Sequence, residues 1–123
     1  MAPTEVLAKQ HLNSFRQMLE KLGVKVELLV GSTSKKNRDR ILNSVEIGEV
    51  DILIGTHALL NEDVKFKKLG LNVTDEQHRF GVMQRESFNT KAKNAHSLVM
   101  TATPIPRTLS LVLFNDLDIS IIV

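Results

Sequence analysis

The chain reads as an α/β protein with a parallel sheet and helices on both faces. Two observations predict this: short apolar runs alternate with stretches of helical period, and each apolar run ends in a polar cluster. A third is the alternation of Leu69, Leu71 and Val73 with Gly70, Asn72 and Thr74, which reads as a strand with one buried face. This strand stops abruptly at Asp75-Glu76-Gln77-His78-Arg79, so ionisable groups stand at a strand's carboxyl end. Open α/β sheets bind ligands at that edge.

The elements follow in order. Ala8, Leu12, Phe15, Leu19 and Leu22 recur at spacings of four and three, which predicts a helix over residues 8–22, closed by Gly23. Residues 24–30 are rich in Val and Leu and form a first strand, followed by the polar loop Gly31-Ser32-Thr33-Ser34. Ser34 suits the N-cap of a second helix containing Ile41 and Val45 and ending at Gly48. Residues 50–54 are a second strand, and Gly55-Thr56-His57-Ala58-Leu59-Leu60 turns out of it. The third strand runs from about Leu71 to Asp75, and a short helix is predicted over residues 82–88. Residues 97–100 are a fourth strand ending in Thr101-Ala102-Thr103. Pro104 and Pro106 open a helix through Leu109, Leu111 and Leu113, and residues 118–123 read as a fifth strand.

Length and composition set bounds on this architecture. With 123 residues, 42% hydrophobic and 24% charged, the chain has the size and make-up of one domain or a piece of one. Its net charge of +2 does not mark a nucleic-acid binder by itself, so the placement of charge matters more than its sum. Cysteine is absent, which excludes a disulfide framework and a Cys-based metal site. No apolar stretch approaches the ~18 residues of a membrane span. Residues 1–5 lack the pattern of a signal peptide, and the expected compartment is the cytoplasm.

Parallel crossovers bring the polar clusters to one edge of the sheet. These clusters are Ala2 to Glu5, which has no strand ahead of it in this sequence, then Gly31 to Thr33, Gly55 to His57, Asp75 to His78, and Thr101 to Thr103. Asp75 could hold a hydrated magnesium ion and Glu76 could orient or deprotonate a water, the two tasks carboxylates perform in nucleoside triphosphate hydrolysis. A solvated acidic turn is the plainer reading of the same pair. His78 could contact a phosphate or relay to Thr101 and Thr103, or be a surface residue, with Thr103 simply capping the following helix.

The loop Gly31 to Lys36 follows a strand and opens a helix, yet Lys36 stands where a phosphate-cradling GxxxxGK[ST] loop requires its second Gly. Its amides and hydroxyls, like those of Gly55, Thr56 and Thr4, could instead meet a nucleic-acid phosphate. Each could equally serve the chain's own turns. The run Lys35, Lys36, Arg38 and Arg40 has the bland reading of a solvated helix face.

Together the blocks APTEVLAKQH, GTHALL, DEQHRFGV and TATPIPRTL, in this order, resemble successive motifs of the RecG family of bacterial ATP-dependent DNA helicases. The resemblance covers essentially the whole chain. Gln77, and Ala58 in the GTHALL block, favour RecG over its relative Mfd, the transcription-repair coupling translocase. It implies a RecA-like P-loop NTPase fold truncated on its N-terminal side, with residues 1–123 forming the later part of the first RecA-like domain and lacking its Walker A segment.

The resemblance further implies ATP and Mg2+ as cofactors, with Asp75 and Glu76 as the Walker B pair, Asp75 holding the metal through water. Gln77, His78, Thr101 and Thr103 would couple nucleotide state to the strand ends. Pro3, Thr4, Glu5, Gly31, Ser32, Gly55, Thr56 and His57 would face the DNA backbone. Implied partners are branched DNA, meaning replication forks and Holliday junctions in repair and recombination, and a second RecA-like domain of the same chain, in a nucleoid-associated cytoplasmic setting without a membrane. Asn72 and Thr74 depart from a family strand that is usually apolar, which suggests that one face of this strand is less buried here. The alternatives are an Mfd-type translocase fragment, a non-catalytic nucleic-acid-binding module, and a doubly wound phosphoacceptor domain that leaves the TATPIPRTL block unexplained.

Overall fold

The computed structural model describes residues 1–75, 95–102 and 120–122. Helix α1 spans Glu5–Leu19, three residues ahead of its first predicted position, because the Thr4 side chain accepts the Leu7 N–H and caps it. A turn of 3-10 helix, Glu20–Leu22, carries the chain to Gly23, whose φ of 71° is the left-handed conformation that ends a helix cheaply only at glycine. Helix α2, Lys35–Glu46, is capped by Ser34, which accepts the Asn37 N–H. Gly48 closes it at φ 83°.

The strands are β1 (Val26–Leu29), β2 (Ile52–Gly55), β3 (Leu71–Asp75) and β4 (His96–Met100). β1 pairs with β2 in parallel, Leu29 opposite Gly55, and β3 pairs with β4 in parallel, Asp75 opposite Met100. Residues 1 and 2 join the two pairs. The Ala2 N–H donates to the Gly55 carbonyl at 2.8 Å, the Met1 amine donates to the Val73 carbonyl at 2.6 Å, and the Asp75 N–H donates to the Met1 carbonyl at 2.9 Å. Met1 thus donates to the residue before Thr74 and accepts from the residue after it, as in a parallel bridge. The resulting order is β1, β2, residues 1–2, β3, β4, and all strands end on one edge.

The two helices cover opposite faces. On one, Ala8 and Leu12 of α1 bury against Ala2, Val26, Val30 and Ile54. On the other, Ile41 and Val45 of α2 bury against Leu29, Leu59 and Val64. Alternation along β1 sends Val26 and Leu29 to different sides, and α1 and α2 each close one of them.

The strand-three expectation is corrected in its phase. Asn72 and Thr74 are the buried positions of β3, each 5% exposed, while Leu71 is 56% exposed. A period of two sets which residues share a face but not which face turns inward, and the bridge to Met1 and the register with β4 decide that. Of the predicted fifth strand, residues 120–122 are described and are not in a strand. The rest of that prediction, and the helices predicted over 82–88 and from Pro104, lie outside the described residues. Among the described residues no helix is long and apolar enough to cross a membrane.

Candidate functional site

The candidate site is the edge where the parallel strands end. β1 leads into Gly31 and Ser32, β2 into Thr56 and His57, β3 ends at Asp75, β4 leads into Thr101, and residues 1–2 lead into Pro3, Thr4 and Glu5. Hydrogen bonds tie several of these segments together. The Glu5 carboxylate accepts the Ser32 N–H at 3.1 Å and the Ser32 hydroxyl at 2.9 Å, so the first turn of α1 holds the loop after β1. Thr33 turns its hydroxyl oxygen back to accept the Val30 N–H, which fixes the start of that loop.

The residues of the edge differ in what they can offer a ligand. Gly31, Ser32, Thr4 and His57 are exposed, whereas Gly55 and Thr56 are buried. Gly55 meets a need of the fold itself: a Cβ there would run into the Leu29 carbonyl and the Leu59 side chain, and its own carbonyl receives Ala2. Gly31 carries no such demand, since a Cβ there would meet only the Glu5 carboxylate at 3.6 Å, an ordinary contact. In the basic run, Arg38 donates to both carboxylate oxygens of Asp63 at 2.8 and 2.7 Å and Arg40 donates to Glu27 at 3.1 Å, while Lys35 and Lys36 are exposed.

Asp75 ends β3 at this edge with a quarter of its side chain exposed, and its Oδ2 lies 3.1 Å from His11 Nε2. The Met1 amine is close enough to feel the Asp75 charge. Burial among the strands pushes the amine's pKa below the ordinary α-amino range, and the carboxylate opposes that shift. A cleft of about 740 Å³ is lined by Met1, Ile54, Leu59, Phe66, Val73 and Asp75.

No group of three His, Cys, Asp or Glu among the described residues is arranged to hold a metal ion. Among the described residues, a cation at Asp75 would have one carboxylate, with water and ligand phosphates to complete its shell. That donor set fits magnesium, which keeps most of its waters. Glu76, Gln77, His78 and Thr103 lie outside the described residues, as does any geometry they share with Asp75 and Thr101.

His11 escaped the sequence reading as a site residue. A signal was present, because position 11 lies three after Ala8 and four before Phe15, on the inward stripe of α1, where a polar side chain asks for a partner.

Residues 1–112 match the family described as DEAD/DEAH box helicase. The chain is 50% identical over 99% of its length to the ATP-dependent DNA helicase RecG of Bacillus subtilis (strain 168), covering 18% of that protein. It is 52% identical over 99% of its length to that of Aquifex aeolicus (strain VF5), covering 16%. A solved structure of RecG bound to a three-way DNA junction superposes with a TM-score of 0.74 at 41% identity, over 94% of this chain and 15% of that one. The chain thus spans less than a fifth of the length of these relatives, and the parallel α/β fold expected from its sequence is the fold of the matching RecG segment.

Proposed function

We propose that this chain, which belongs to the DEAD/DEAH box helicase family, is the later part of the first RecA-like domain of an ATP-dependent, branched-DNA helicase of RecG type. The carrying observation is that Asp75 shares one sheet edge with Ser32, Glu5 and His57, so the carboxylate proposed to hold magnesium and the loops proposed to meet phosphate belong to the same edge. The RecG relatives favour this reading over an Mfd-type translocase. Repair and recombination, a cytoplasmic setting and a second RecA-like domain belong to the same proposal.

Asp75 would hold magnesium through water, and Glu76 would orient and deprotonate the attacking water. When bound with the triphosphate, the metal supplies charge neutralisation on the phosphates. Gln77, His78, Thr101 and Thr103 would pass the nucleotide state along the strand ends. On the DNA side, exposed Gly31, Ser32, Thr4 and His57 would meet backbone phosphates. Gly31 fits that role because the fold places no steric demand for glycine there. Glu5 is an anion already bonded to Ser32 and would act by holding that loop, with Pro3 setting the entry to α1. Buried Gly55 and Thr56 would shape the turn that presents His57.

The test uses the full-length protein that contains this segment. It should hydrolyse ATP in the presence of a three-way DNA junction and migrate the branch, and Glu76→Gln should lower turnover by about 10²–10⁴-fold, the range for loss of a general base. Near-normal turnover in that variant removes Glu76 from the role, and junction-independent, DNA-inert behaviour of the parent removes the branched-DNA reading.

A further inference from the structure

We propose that His11 is a positioning residue for Asp75: its Nε2–H donates to Oδ2, sets the plane of the carboxylate and leaves Oδ1 to face a metal-bound water. This deepens the proposed function and rests on the assignment of Asp75 as the magnesium carboxylate. The two atoms are 3.1 Å apart, with the His11 side chain 37% and the Asp75 side chain 25% exposed.

Partly exposed contacts of this kind contribute little to folding. A carboxylate that holds a hydrated cation by a single oxygen, in contrast, gains from a fixed orientation, as metal ligands do from outer hydrogen bonds. A neutral imidazole is sufficient, since only one N–H is needed.

The helix that carries His11 gives the contact a second consequence. α1 grips the loop after β1 through Glu5, whose carboxylate takes both the N–H and the hydroxyl of Ser32. His11 lies roughly 9 Å further along the same helix axis. A single rigid element therefore touches the loop proposed to meet DNA and the carboxylate proposed to meet magnesium.

The experiment compares the full-length protein with its His11→Leu, His11→Gln and Asp75→Asn variants. Mn2+ serves as the magnesium probe, titrated by electron paramagnetic resonance in the presence of a non-hydrolysable ATP analogue. The affinity of the analogue without metal and the ATPase kinetics are measured alongside. His11→Leu should weaken Mn2+ binding roughly tenfold and lower kcat, with metal-free analogue binding and the KM for DNA unchanged. His11→Gln, whose amide N–H reaches about as far as Nε2, should restore most of the loss. Wild-type Mn2+ binding in His11→Leu overturns the inference, and so does an equal loss in Leu and Gln variants, because the donor would then not matter. If Asp75→Asn binds Mn2+ normally, the assignment of Asp75 itself fails, a result distinct from either of these.

Discussion

The β1–β2 pair is closed on both faces, by α1 on one and α2 on the other, while the β3–β4 pair leaves Leu71, Leu98 and Met100 exposed and buries the polar Asn72 and Thr74. The loops proposed to meet DNA rise from the first pair, and Asp75 ends the second. Among the described residues, what connects the carboxylate to the loops is a short run of polar contacts: the Met1–Ala2 bridge and the His11 hydrogen bond. The contrast teaches that the loop-bearing half is held by apolar packing, whereas the placement of Asp75 relative to it depends on directional bonds, of which the His11 contact is the one a side-chain substitution can remove.

The contrast breaks most readily through paired truncations. Leu29→Ala removes a fully buried side chain from the α2 face and should destabilise by about 2–5 kcal/mol. Leu98→Ala, at a position 48% exposed, should change stability by no more than ~0.5 kcal/mol. Urea unfolding of both variants decides it. A loss at Leu98 as large as that at Leu29 would mean that the second pair is packed as tightly as the first.

A smaller effect sharpens the account of β3. Asn72 Nδ2 is buried without a hydrogen-bond partner, so Asn72→Leu should stabilise the 123-residue chain by about 1 kcal/mol, the lower end of the penalty for an unmet buried polar group. A lower denaturation midpoint in that variant would show that the amide is satisfied in solution.

The smallest effect is electrostatic. Burial depresses the pKa of the Met1 ammonium in the folded 123-residue chain, so between that lowered value and the unfolded value of roughly 8 the unfolded state binds the extra proton. Stability should therefore rise with pH through this window and level off above it. Nα-acetylation should abolish that part of the pH dependence, and thermal melts of free and acetylated chain at matched pH measure the difference. Identical pH profiles would place the amine in water rather than between the strands.

Much of this molecule was legible because its determinants are local. The helical stripe of Ala8, Leu12 and Phe15, the Ser34 cap and the glycines after each helix act within a few residues of where they stand. Parallel crossovers then bring the strand-end clusters to a common edge by topology alone. The apolar stripe begins at Ala8 and so predicts a later start for α1 than the one the Thr4 cap sets at Glu5. Hydrophobicity predicts Leu71 and Val73 on the inward face of β3, whereas the fold turns Asn72 and Thr74 inward.

Among the described residues, the types and order of α1, α2 and β1 to β4 and the chemical character of each strand end follow from periodicity, capping and turn residues, which are properties of neighbours along the chain. Only the tertiary structure decided that Glu5 holds Ser32, that His11 meets Asp75, and that residues 1–2 knit β2 to β3. Those contacts join residues 27, 64 and more than 50 positions apart. Such partners are selected by sheet order and helix placement together, and no local pattern encodes that choice.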